Sequence, residues 1–171
     1  EFHGGNWFAE ISCVFLWNGK NQDVTLFLKL QKEKVGSKWI IERAYFQPFN
    51  SLFNKDTSEI KYFLHPLSHE LDFMNLDKAF SENKAHIEAY TAREYDPDGL
   101  SLVLFEVKRG NMKFKTINEV KFHFFQIKNW YFELSVFNRA GMNSGWLISN
   151  LVKTTDRDKD ILKSYLYNKK N

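Results

Sequence analysis

The chain has 171 residues, 43% of them hydrophobic and 17% aromatic, which is enough apolar material for one domain with a substantial core. That composition excludes intrinsic disorder of the whole chain. The net charge of +3 comes from 24 basic and 21 acidic residues, and the basic set is 19 Lys against five Arg, a balance that argues against specific nucleic-acid recognition.

Period-two alternation opens the chain. Ala9, Ile11, Cys13, Phe15 and Trp17 share one face of a predicted strand that ends at the turn signal Asn18-Gly19. Val24, Leu26, Leu28 and Leu30 share a face of the next. After Val35-Gly36-Ser37 a third strand runs from Trp39 to Phe46 and stops before Pro48. Residues 50–61 read as a polar loop or short helical piece. From Ser68, a plausible N-cap, Leu71, Phe73, Met74, Leu76, Ala79 and Phe80 recur at helical spacing. A second short helix is expected over Lys84 to Thr91, closed by the turn Asp96-Pro97-Asp98-Gly99. Leu100, Leu102 and Leu104 then alternate with Ser101, Val103 and Phe105, as a strand does. Val120 to Ile127 and Trp130 to Phe137 form a tight hairpin around Lys128-Asn129, and the loop Asn138 to Gly145 leads to a strand from Trp146 to Val152. Thr155 with Asp158 resembles a capping box, opening a terminal helix with Ile161, Leu162, Tyr165 and Leu166 on one side.

The order strands, helices, strands, helix implies an α+β fold in which a curved antiparallel sheet of about six or seven strands packs against helices. The expectation is a single α+β domain over 1–171, with a segment upstream of Glu1 missing and a cleaved signal peptide compatible with that start. No apolar run approaches the roughly 18 residues of a membrane span. One cysteine, Cys13, rules out an internal disulfide and any cysteine zinc site, and its apolar run predicts a buried, inert thiol. Richness in Lys, Phe and Asn fits an AT-rich bacterial genome.

Three times a Trp that opens a strand is followed three residues later by Glu: Trp7 and Glu10, Trp39 and Glu42, Trp130 and Glu133. Asn6-Trp7-Phe8-Ala9-Glu10-Ile11-Ser12 is echoed by Asn129-Trp130-Tyr131-Phe132-Glu133-Leu134-Ser135. Because side chains alternate along a strand, each carboxylate is set on the face opposite its aromatic anchor.

A two-residue loop in the 120–137 hairpin pairs Ile127 with Trp130, Phe125 with Phe132 and His123 with Leu134. One face then carries His123, Phe125, Ile127, Trp130, Phe132, Leu134 and Val136. The other carries Phe122, Phe124, Gln126, Tyr131, Glu133, Ser135 and Phe137. Both are strongly apolar, so helices cover both faces, or subunits pair through one, or one face lines a pocket. Glu133, set among Phe122, Phe124 and Tyr131, is the polar anomaly. Partial desolvation in a concave aromatic site is a setting in which carboxyls become general acids or bases. This register puts His123 and Glu133 on opposite faces, so they form no dyad.

Val24-Thr25-Leu26-Phe27-Leu28-Lys29-Leu30, a Gly-containing turn and Lys38-Trp39-Ile40-Ile41 resemble the hairpin of the NTF2-like superfamily. The resemblance implies a cone-shaped α+β domain whose curved sheet and helices enclose an apolar pocket. That superfamily includes isomerases, dehydratases and non-catalytic binding or dimerising domains, and no catalytic motif of theirs is present here.

Other clusters read as ordinary structure. His65-Pro66-Leu67-Ser68-His69-Glu70-Leu71-Asp72 is the densest set of metal-ligand types, but Pro66 and Ser68 put His65 before the helix, so no metal site is expected. Asp96-Pro97-Asp98-Gly99 lacks the later ligands of a calcium loop. Asn138 to Gly145 matches neither phosphate-loop nor dinucleotide fingerprint, so no cofactor is expected. Three functions follow. The first is a non-enzymatic domain binding a small apolar ligand or a protein partner through Phe122, Phe124, Tyr131 and Glu133. The second is a pocket enzyme of isomerase or hydro-lyase type with Glu133 as general acid/base. The third is a structural domain that forms a homodimer through its sheet.

Overall fold

The computed structural model describes residues 5–52, 62–74, 76–92, 94–95, 97–141 and 143–168. It separates into two compact units, one drawn from Glu1–Gln47 with Asp98–Asn171 and one within Pro48–Pro97. The first unit holds a single six-stranded antiparallel sheet in the order β3-β2-β1-β4-β5-β6. Its strands are β1 (Trp7–Trp17), β2 (Lys20–Glu33), β3 (Gly36–Tyr45), β4 (Met112–Phe124), β5 (Trp130–Phe137) and β6 (Gly145–Lys153). Two three-stranded meanders are joined through β1 and β4, so the fold is α+β with a curved, unclosed antiparallel sheet.

The first meander follows from its alternation. Asn18 and Gly19 take φ of 50° and 75°, the left-handed pair that a two-residue hairpin needs, and Trp17 closes on Lys20. Beyond the sheet come α1 (Gln47–Asn50), α2 (Leu76–Phe80), α3 (Gly99–Lys108) and α4 (Asp156–Tyr167).

Four expectations are corrected. Leu100 to Phe105 is helix α3, not a strand: Asp98 accepts from the N–H groups of Leu100 and Ser101 and caps it. Leu102, Val103, Leu104 and Phe105 fill odd and even positions alike, a continuous apolar run that specifies no period of two. The helix expected from Ser68 is broken, because Asp72 and Phe73 adopt φ of 49° and 54° between a 3₁₀ helix at Pro66–Leu71 and α2. Its cap is His65, whose Nδ1 accepts from the Leu67 N–H, while Ser68 is buried. The segment expected as a second helix is a kinked 3₁₀ piece, Lys84–Tyr90.

The fourth correction concerns the 120–137 hairpin. Phe124 pairs with Phe132, His123 with Glu133 and Phe122 with Leu134, one residue out of the expected register. The chain leaves the ladder at Phe125, which turns into the core, and Asn129 at φ 62° completes a five-residue loop. A slip of one residue exchanges the faces. His123 therefore shares a face with Tyr131 and Glu133, and Phe122 and Phe124 share the other with Phe132 and Leu134. Residues 53–61, Asp96, Met142 and the Lys169-Lys170 tail lie outside the described residues.

All five tryptophans fall on one face of the sheet by this register, and Glu10, Glu42 and Glu133 fall on the other. On the carboxylate face α4 packs Leu166 against Phe8, Phe27, Phe125 and Tyr131, with Leu162, Tyr45 and Tyr167 around them. The Thr155–Asp158 capping box is present at its start. Lys159 is buried beneath it and donates to the carbonyls of Phe125 and Ile127 at 2.8 and 2.7 Å, tying the helix to the hairpin loop. Of the four residues expected on one side of this helix, Leu162 and Leu166 face the core and Ile161 and Tyr165 are exposed, because the face that turns inward runs through Lys159, Leu162 and Leu166. On the tryptophan face α3 packs against β3 and β4, and Trp17 Nε1 donates to Glu106 at 3.2 Å. Cys13 is buried, and that burial raises its thiol pKa.

Candidate functional site

Two places in the sheet combine unusual chemistry with position. The first is built around His123 on the carboxylate face. β4 lies between β1 and β5, and these flanking strands run parallel to each other. They present the two echoed segments to the same imidazole from opposite sides. Glu10 Oε2 is 2.9 Å from His123 Nε2, and the Tyr131 hydroxyl is 2.9 Å from Nδ1. Glu133 Oε2 lies 3.8 Å from Nδ1 and accepts from the Tyr131 hydroxyl at 3.5 Å. The His123 side chain is 0% exposed, with the Glu10 and Glu133 side chains 10% and 17% exposed.

Glu133 has its own holders. The Ser149 hydroxyl donates to Oε1 at 2.8 Å, and Ser135 approaches the same oxygen at 3.3 Å. Ser149 gets there because it is the extra residue of a bulge in β6, between Ile148, which pairs with Leu134, and Asn150, which pairs with Glu133. The bulge re-aims its side chain onto the carboxylate face. A matching bulge in β3 makes Glu42 the extra residue opposite Phe27 and Leu28, where it meets Lys29 and the Tyr167 hydroxyl.

The surrounding charges favour a neutral Tyr131. Burial comes first, then the carboxylates of Glu133 and Glu10, and together they push its phenol pKa well above the ordinary tyrosine range. Burial works against the Lys121 ammonium on the same face, but Glu119, Glu133 and Glu10 outweigh it and hold its pKa above the usual value. Tyr167 repeats the pattern of Tyr131, its phenol raised by burial and by Glu42.

Since Tyr131 keeps its proton, the chain Glu10, His123, Tyr131, Glu133 has two hydrogen-bonding states. With imidazole neutral and Nε2–H directed at Glu10, Tyr131 donates to Nδ1. With imidazole charged, Nδ1–H donates to the tyrosine oxygen and the phenol proton turns to Glu133. The expectation that His123 and Glu133 lie on opposite faces is thus corrected by the register.

The second place is the tryptophan face. Trp39 on β3 meets Trp7 on β1 edge to face at 5.3 Å, and Trp7 stacks on Phe124 at 5.2 Å. Phe124 stacks on Phe132 at 4.6 Å, and Phe122 meets Trp146 on β6 at 5.0 Å. Trp39 and Phe122 approach to 6.3 Å although their strands are third neighbours, about 14 Å apart in a flat sheet. Curvature and inward lean of the side chains draw these rings into one band from edge to edge. Trp7 is buried, yet Trp39 is 44% and Trp146 49% exposed, and Ile41, Val136, Ile148 and Leu151 are exposed beside them.

Of the residues expected to form one site, Phe122 and Phe124 therefore belong to the aromatic band, and Tyr131 and Glu133 to the polar cluster. Sequence reasoning missed Glu10, Lys121 and Ser149 as members of that cluster. The echoed heptapeptides carried the signal for Glu10, because two copies of one pattern converge if they flank a common strand. The histidines of the 65–72 cluster turn to their own backbone, His69 Nδ1 lying 3.0 Å from the Pro66 carbonyl oxygen. Among the described residues, no group of three or more His, Cys, Asp or Glu is placed to hold a metal ion. No helix is long and apolar enough to cross a membrane, among those residues.

No family model matches this chain, and neither a curated protein nor a solved structure matches it. The class defined by the fold is an α+β domain built on a curved six-stranded antiparallel sheet.

Proposed function

We propose that this chain is a non-enzymatic binding domain that takes a small apolar ligand against the tryptophan face of its sheet. The observation that carries this reading is the half-open aromatic band from Trp39 through Trp7 and Phe122 to Trp146. A run of rings on a curved sheet offers large, rigid apolar area at little conformational cost, the usual make-up of a site for apolar or aromatic molecules. The resemblance of the β2–β3 hairpin to the NTF2-like superfamily supports the same reading, since curved sheets there surround apolar pockets. Phe122 and Phe124 remain ligand-binding residues in it.

Titration with anilinonaphthalene sulfonate and with a medium-chain fatty acid, followed by tryptophan emission, tests it. Saturable binding that weakens about tenfold in Trp146→Ala is expected, the loss of one large aromatic contact. Emission that never saturates, or an unchanged affinity in that variant, overturns it.

A second reading is favoured by the partly exposed Glu133 carboxylate backed by Tyr131 and His123. In it Glu133 removes a proton next to a carbonyl, the step that isomerases and hydro-lyases share, and the tyrosine and histidine redistribute the charge. Small cyclic ketones in heavy water provide the assay: exchange of their α-protons above background, lost in Glu133→Gln, supports this reading. Background exchange throughout the panel removes it.

A further inference from the structure

The two edges of the sheet are built differently. β3, at one edge, carries Lys38, Glu42 and Arg43 within Gly36–Tyr45. Charges on an edge strand are among the means by which sheets resist pairing with other chains. β6, at the other edge, reads Gly-Trp-Leu-Ile-Ser-Asn-Leu-Val before its first charge at Lys153. Residues 148–153 are all exposed, and among the described residues β6 pairs on one side alone, with β5.

We infer that β6 pairs antiparallel with β6 of a second copy of this chain, about a two-fold axis normal to the sheet. The occupant is a second copy because the strand is complementary to itself. Its bulge at Ser149 divides the strand, and the half before it, Gly145–Ile148, carries no charge. Centred on Leu147, the pairing sets Trp146 opposite Ile148 of the copy, and Ile148 opposite the copy's Trp146. All four of these side chains lie on the tryptophan face. Aromatic and β-branched residues facing one another are among the better cross-strand pairs. Trp146 and Ile148, 49% and 57% exposed in the single chain, lose water together in this arrangement. A pairing centred on Lys153 instead places two ammonium groups side by side, which like-charge repulsion disfavours. The two-fold is isologous and closes on itself, so assembly stops at the dimer. It also joins the aromatic bands of two copies on one side of a twelve-stranded sheet. This inference uses the strand edge and stands whether or not the face binds a small ligand.

Solution mass by light scattering at micromolar concentration, on the intact chain, is the first measurement. A mass of twice 20.3 kDa is expected for the wild type. Ile148→Lys, on the outer strand, should give the single-chain mass with an unchanged circular dichroism spectrum, and Trp39→Lys on the opposite edge should leave the dimer intact. Residues that self-pair across such an axis have Cα atoms about 4.5–5.5 Å apart, within disulfide reach. Leu147→Cys is therefore expected to link two copies on oxidation, the native Cys13 being buried. A monomeric wild type at hundreds of micromolar overturns the inference. So does a dimer that survives Ile148→Lys, or one in which Cys at position 147 stays unlinked.

Discussion

Both ring nitrogens of His123 lie 2.9 Å from partners, in a position closed to water. Breaking a buried arrangement of this kind from one side costs more than the arrangement contributes when whole, because the groups left behind stay desolvated. We expect His123→Ala to destabilise the fold by roughly 3–5 kcal/mol in denaturant titrations, the range for removing one partner of a buried pair. Glu133→Gln should cost far less, because Ser149 and Ser135 can still donate to the one amide oxygen that remains. The alkaline limb of stability belongs to Tyr131 and Tyr167. Their raised phenol pKa values mean that the folded chain holds these protons more tightly than the unfolded chain does. Their contribution is complete below the unfolded tyrosine value of about 10 and is lost as pH rises through the folded values above it. Tyrosinate absorbance should show two late-ionising groups that appear together with unfolding, and Tyr131→Phe and Tyr167→Phe should each remove one. Ionisation of both in the folded protein near the ordinary tyrosine value of about 10 contradicts this assignment.

At the scale of elements, α4 is held at its start by the capping box and along its length by Leu162, Leu166 and Lys159. Thr155→Ala removes the acceptor for the Asp158 N–H and is expected to cost about 1 kcal/mol, the usual loss for such a cap. Faster amide exchange confined to the first turn of the helix is the accompanying sign. The cap was readable from Thr155 and Asp158 alone, as were β1 to β3 from their alternation and the Asn18-Gly19 turn. The placement of each Trp-linked Glu opposite its aromatic anchor was equally local information, because it depends only on the geometry of one strand. The hairpin register was not local. It turned on whether Phe125 stays in the ladder or turns toward Leu166, a residue 41 positions away that the hairpin sequence does not contain. The polar cluster was lost with it, since one residue of slip moves His123 away from Glu133. Ser149 was hidden for a related reason: a bulge is set by the partner strand, and nothing in Ile148-Ser149-Asn150 announces one. Leu100 to Phe105 misled because the apolar run Leu102 to Phe105 suits a buried strand and a helix equally, and Asp98 decides between them as an N-cap.

For the whole molecule, the informative pairing is β1 with β4, which registers Trp7 on Phe124 and Trp17 on Met112 across about a hundred intervening residues. Contacts so distant in sequence slow folding, because a long loop must close before they form. Refolding followed by tryptophan emission is therefore expected on the scale of milliseconds to seconds, and microsecond relaxation contradicts it. The same connection has a consequence for synthesis. When Tyr45 has left the ribosome the first meander is complete, but the inner edge of β1 has no neighbour until residues 112–124 emerge. At about 5–20 residues per second, the 67 positions from Tyr45 to Met112 take roughly 3–13 s. Throughout that interval the strand that will lie at the centre of the sheet is the exposed margin of an unfinished one. Its segment Ile11-Ser12-Cys13-Val14-Phe15-Leu16-Trp17 is uncharged, so the nascent chain is most open to mispairing at the place its finished form protects best.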